Sequence, residues 1–200
     1  MNYYPLLKSF LYEKVRATDQ QIRATKLEDQ KEVTSPEKID PKTGKIIPGK
    51  KIDMVALKFE MESAKNGIVA QCPLFAPYVH EFDPVIYTWG VPTMGTDGTR
   101  LFVNPEFAET LTWNQKIFVL LHEIMHCVLI HQERGVGFDH GLFNEAGDYE
   151  INILIADTFA TEFPVKFIED MHGLIDQKYL NMPVEEIYRL YNSYSPYDVA

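Results

Sequence analysis

Cysteine is scarce in this chain: Cys72 and Cys127 are its only two among 200 residues. So few thiols exclude a disulfide-stapled scaffold, and with Cys127 inside an apolar segment they point to free thiols in a reducing compartment. No apolar run is long enough to span a bilayer. The opening residues, MNYYPLLKSFLYEKVR, lack the basic, apolar and small-residue order of a secretion signal. A cytoplasmic protein is therefore expected. Basic residues are the minority, 19 Lys and Arg against 29 Asp and Glu, for a formal net charge of −10. That balance argues against a nucleic acid or an anionic membrane as general partner. No internal repeat is visible. With 46% hydrophobic residues the chain can bury one substantial core, so a single domain over residues 1–200 is expected, with a lysine-rich insertion at about 31–51.

What the chain does contain is His122-Glu123-Ile124-Met125-His126, a HExxH pentapeptide. Imidazoles four residues apart stand about 40° apart around an α-helix, so both can point at one ion with Glu123 beside them. This is the zinc hydrolase signature. Its setting is TWNQKIFVLLHEIMHCVLIHQER, which predicts a helix from Thr112 to Arg134. Thr112 and Gln115 form a capping box at its start, and Gly135 stops it. Apolar residues from Ile117 to Ile130 cover most of its circumference, so it should be largely buried. Buried imidazoles and carboxylates are costly unless paired or metal-bound.

A catalytic zinc has three protein ligands and an open position, so the pentapeptide is one ligand short. His131 lies about 180° from His122 on a continuous helix, and the metzincin pattern of a glycine turn and a later histidine is absent. His131 is therefore expected either behind the metal ligands or as a hydrogen-bonding partner with Arg134. The third ligand is sought on the next helical segment, NEAGDYEINILIADTFA, expected to start at Asn144. There Asn144, Asp148, Ile151, Asn152 and Ile155 share a face with Glu145 on its margin, and geometry puts Asp148 ahead of Glu145. Glu150, about 200° from Asp148, should face solvent.

Elsewhere, residues 5–30 read as a helix with an apolar stripe of Leu6, Leu7, Phe10, Leu11 and Val15. The Lys- and Pro-rich stretch 31–51, with its Asp40-Pro41-Lys42-Thr43-Gly44 turn, reads as an exposed loop or β-ribbon with solvated lysines. A helix over residues 52–64 should end near Gly67. Strands over 85–91 and 100–103 are expected to form a hairpin closing on Thr96-Asp97-Gly98, a turn rather than a catalytic element. Asn104-Pro105-Glu106 should start a short helix through Leu111. Pro164 breaks the second motif helix, and residues 181–188 begin the last one.

Three segments, TMGTDGTRLFVNPEF, LLHEIMHCVLIHQER and NEAGDYEIN, resemble the zinc metallopeptidase domain found upstream of von Willebrand A-like domains in bacterial and phage proteins. The resemblance covers roughly residues 75 to 190. It implies an α+β, zincin-like fold, mainly helical, with a small sheet or hairpin beside the HExxH helix. It also implies Zn2+ as cofactor, His122, His126 and Asp148 as ligands, Glu123 as catalytic base, and supporting roles for His131, Arg134, Asn144 and Asn152. A peptide or protein substrate follows, with a von Willebrand A-like domain as a further partner.

The chemistry expected is amide hydrolysis. A zinc ion lowers the pKa of water and polarises a carbonyl, and Glu123 would take the water's proton and pass it to the leaving amine. The oxyanion needs a further donor, for which Tyr149, His131, His140 and Arg134 are candidates. The alternative is a zinc-stabilised interaction or assembly module that cleaves little.

Overall fold

The computed structural model describes residues 27–82 and 85–193. The helix expected over residues 5–30 falls almost wholly outside them, and only Leu27–Asp29 is seen, as one 3-10 turn. The fold is α+β and mainly helical, with small sheets. Two compact units divide the chain, Met1–Ile124 and Met125–Ala200, and the division falls inside one continuous helix.

In the first unit the lysine-rich stretch forms two antiparallel ribbons. Strand β1 (Glu32–Thr34) pairs with β4 (Lys51–Asp53), and β2 (Lys38–Ile39) pairs with β3 (Ile46–Ile47). Strand alternation sends Val33 and its partner Ile52 inward, at 5% and 0% exposure. The outer ribbon is exposed throughout and turns on Asp40, whose Oδ1 accepts from the backbone of Lys42 and Thr43.

Helix α1 (Met54–Gln71) begins where Asp53 accepts from the backbone N–H groups of Val55 and Ala56, satisfying two orphan donors. It runs past Gly67, contrary to the expectation of a stop there. Gly67 serves proximity instead: a Cβ at this position would lie 3.0 Å from Trp113 Cζ2 and 3.1 Å from Ile117 Cδ1. After the short helix α2 (Ala76–Glu81) comes a three-stranded sheet in the order β5-β7-β6.

This sheet corrects the expected hairpin. The partner across the turn is β6 (Met94–Thr96), antiparallel to β7 (Leu101–Val103), while the earlier segment contributes only β5 (Ile86–Tyr87), parallel to β7 on its other side. A turn at Trp89 and Gly90 interrupts the apolar run that read as one longer strand. Asp97 builds the hairpin turn itself. Its Oδ1 accepts from the backbone of Thr99 and Arg100 at 3.1 and 2.8 Å, and its Oδ2 from Arg100 Nε at 2.7 Å. Helix α3 (Pro105–Thr110) follows, with Asn104 accepting from Glu106 and Phe107 and donating to the Val91 carbonyl.

Helix α4 (Trp113–Val128) carries the pentapeptide. Thr112 and Gln115 cap it reciprocally, the Thr112 N–H reaching Gln115 Oε1 at 2.9 Å and the Gln115 N–H reaching Thr112 Oγ1 at 3.4 Å. Ile117, Phe118, Leu120, Leu121, Ile124 and Met125 are all buried. The helix does not continue to Arg134. It breaks at Ile130, whose φ of 50° is left-handed, a conformation costly for a β-branched residue. A one-turn helix α5 (His131–Arg134) restarts the chain.

In the second unit α6 (His140–Thr158) starts four residues before Asn144, capped by Asp139, which accepts from the Leu142 N–H at 2.9 Å. Pro164 caps α7 (Val165–Asp170), and α8 (Val184–Ser193) packs on α6. Phe143, Ala146, Tyr179, Val184 and Ile187 form the buried cluster, against which Phe138, Tyr149, Met182 and Tyr188 pack.

Candidate metal centre

His122 and His126 stand one turn apart on unbroken α4, as their spacing requires. One ring nitrogen of each and one carboxylate oxygen of Asp148 lie within 4.8 Å of one another. Among the described residues this is the group of His, Cys, Asp and Glu side chains able to hold a metal ion. Glu145, the other carboxylate considered, is buried at 4% exposure but is outside that group.

The donor set fits a first-row divalent ion. Two donors about 2.0–2.1 Å from one tetrahedral zinc sit about 3.3 Å apart. His126 Nε2 and Asp148 Oδ1 are 3.3 Å apart. Two imidazoles and one carboxylate, with no thiolate, are also the mixed donor set of an open rather than a closed zinc site. Glu123 follows His122 on the same helix and is 8% exposed, so it is a carboxylate held largely away from bulk water.

The break at Ile130 sets the surroundings of His126. On a continuous helix His131 would stand about 140° away from His126, five residues back, and could not meet it. With the break, His131 Nδ1 comes to 3.1 Å from His126 Nδ1, the rings crossing edge to face at 75°. The expectation that His131 is a bonding residue beside the site agrees with this placement, but its partners are His126 and Glu150 rather than Arg134. His131 Nε2 lies 2.9 Å from Glu150 Oε2.

Glu150 is a correction. Instead of facing solvent, its side chain is 14% exposed, and the oxygen that meets His131 also accepts the Val184 N–H at 3.1 Å, where α8 begins. The angle from Asp148 holds, but α8 covers that side of α6. Sequence reasoning had no signal for this, since nothing local marks which side a later helix will take.

Arg134 is engaged elsewhere. Its Nε and NH2 groups donate to both carboxylate oxygens of Glu185 at 2.8 and 2.7 Å, and NH1 donates to the Leu129 carbonyl freed by the helix break at 3.0 Å. The guanidinium holds the Glu185 carboxyl down at about 2. The proposed oxyanion donors His131 and Arg134 are thus committed to carboxylates, and Tyr149 stacks edge-on against Tyr179. Asn152 is 3% exposed and donates to the Leu174 carbonyl, whereas Asn144 is exposed.

Gly147 makes the close assembly of these rings feasible. A Cβ there would lie 2.7 Å from His131 Nδ1, 3.0 Å from His131 Cε1 and 3.6 Å from His126 Cε1. A glycine inside a helix ordinarily costs stability, and here proximity to two histidines is the reason for it.

His122, His126 and Asp148, half-buried, buried and buried, thus form a His-His-Asp group on two helices that could hold a metal ion. The chain belongs to a family described as a putative metallopeptidase domain, whose model matches residues 58–193. The family's character implies a metal ion. No curated protein and no solved structure matches the chain. Among the described residues, no helix is long and apolar enough to cross a membrane, and both cysteines are free thiols.

Proposed function

We propose that the chain is a zinc-dependent peptidase in which His122, His126 and Asp148 hold the metal and Glu123 is the general base. The observation that carries the reading is the convergence of those three side chains, with the 3.3 Å His126–Asp148 separation matching two donors of one tetrahedral ion. When bound, zinc supplies water of lowered pKa and polarises the scissile carbonyl. Glu123 accepts the proton of the attacking water at a carboxylate oxygen and returns it to the amine nitrogen that leaves, so that no net charge accumulates on the products. Its place next to His122 on the same helix, at 8% exposure, supports this role.

The test pairs zinc content by mass spectrometry with turnover of a peptide library, for the natural protein and for Glu123→Gln. Zinc retained by both, with cleavage only by the natural protein, is expected. Zinc retained by both with no cleavage by either points to the interaction-module alternative.

A further inference from the structure

We propose that the cavity where α4 starts beside α1 binds a tyrosine side chain presented by a polypeptide. The cavity, of about 280 Å³, is lined by Glu60 of α1, Leu111 and Thr112 ahead of α4, and Trp113 and Lys116 in its first turn. It lies below the range of about 300–1,000 Å³ usual for drug-sized ligands, so it admits a guest of one ring. Trp113 supplies the platform. Its Nε1 donates to Ser63 Oγ at 3.3 Å and its six-membered ring lies over Gly67, yet the residue is 45% exposed. An indole face left open in a cleft favours a flat, apolar partner. The site is separate from the metal centre, since Trp113 precedes His122 by about 14 Å of helix rise.

The polar end of the cavity decides which ring. Lys116 is a buried ammonium, its side chain 3% exposed. Its Nζ donates to the Leu111 carbonyl at 2.5 Å and pairs with Glu60 Oε2 at 3.1 Å. An ammonium carries three N–H donors, so among the described residues one is left for a further acceptor. A buried donor left unmet is costly, and a guest's oxygen would offset that cost. Glu60 has a side chain more than half exposed and, as a carboxylate, only accepts. A guest carboxylate would be repelled by Glu60, and a guest ammonium or guanidinium by Lys116. A neutral hydroxyl satisfies both, accepting from Lys116 and donating to Glu60. A flat ring bearing such a hydroxyl is a phenol, and tyrosine is the side chain that carries one.

Binding is read from the indole N–H signals in proton–nitrogen spectra of the full chain, whose two tryptophans are told apart by Trp89→Phe. N-acetyltyrosinamide should shift the Trp113 signal saturably and leave that of Trp89 in place. N-acetylphenylalaninamide, which lacks the hydroxyl, and the O-methyl derivative, which accepts but cannot donate, should each bind more weakly by roughly tenfold or more. Lys116→Met, which keeps the buried stem and removes the donors, should weaken binding of the tyrosine compound by a similar factor. Glu60→Ala, at an exposed position, should erase the preference for the free hydroxyl over its O-methyl derivative. No saturable shift of Trp113, or equal affinity for the tyrosine and phenylalanine compounds, overturns the proposal. If Lys116→Met does not fold, Glu60→Ala decides: a preference retained there overturns the proposal as well.

Discussion

Replacing Gly147 by alanine should destabilise the protein, although an alanine inside a helix normally stabilises it by about 1 kcal/mol over glycine. The added Cβ would sit 2.7 Å from His131 Nδ1. Comfortable contact between such atoms begins near about 3.5 Å, so one side must move by about 0.8 Å. The helix cannot retreat easily, because Ala146 and Ile151 on α6 are at 0% exposure. The His131 ring cannot retreat without lengthening its bonds to His126 and Glu150. Overpacking costs about 1–3 kcal/mol and the two loosened hydrogen bonds about 1 kcal/mol each. Against the helix-propensity gain, the net loss is about 2–4 kcal/mol, which for a chain of this size lowers the melting temperature by roughly 4–16 °C. Thermal unfolding of the metal-free variant, followed by circular dichroism, measures this. A melting temperature equal to or above that of the natural protein would refute the reasoning. Gly67→Ala offers the contrast: its Cβ meets Trp113, which is 45% exposed and can yield, so its effect should be the smaller.

Further outcomes follow from other contacts. The folded Glu185 carboxyl titrates at about 2 against an ordinary 4.5. The Arg134–Glu185 pair therefore contributes stability above the ordinary value and loses it as pH falls toward the folded one. Discounted for solvent screening, that contribution is about 1 kcal/mol, and urea unfolding at about pH 6 and about pH 3 should show it in the natural protein and not in Arg134→Ala. Ile124→Ala, at a position 1% exposed within the HExxH helix, should cost about 2–5 kcal/mol in the same assay. Asn104→Ala removes a cap and the bond to Val91, and should cost about 1–2 kcal/mol. A loss below about 0.5 kcal/mol for Asn104→Ala would mean that the cap is replaced by water.

The parts of this protein legible in its sequence are those written in local spacing. The His122–His126 interval, the Thr112–Gln115 capping box and the Asn104-Pro105 helix start each fix their geometry within one turn of chain. Asp148 was reachable because its helix face could be laid out by angle. What was not legible depended on a single backbone event or on a distant partner. The left-handed Ile130 undoes any angle counted through it, and no glycine or proline marks the break. Glu150 is turned inward by α8, which begins 34 residues later at Val184. The β6–β7 pairing depended on which of two apolar runs lay across the Asp97 turn, and pleat periodicity in strands of two or three residues is too short to decide that.

The most direct test of the proposed zinc centre is X-ray absorption at the zinc edge on the loaded natural protein and on Asp148→Ala. One zinc per chain is predicted, with two imidazole nitrogens and oxygen ligands at about 2.0–2.1 Å, and with one oxygen lost or the metal released in the variant. A shell containing sulfur at about 2.3 Å, or one unchanged by Asp148→Ala, would contradict a centre made of His122, His126 and Asp148.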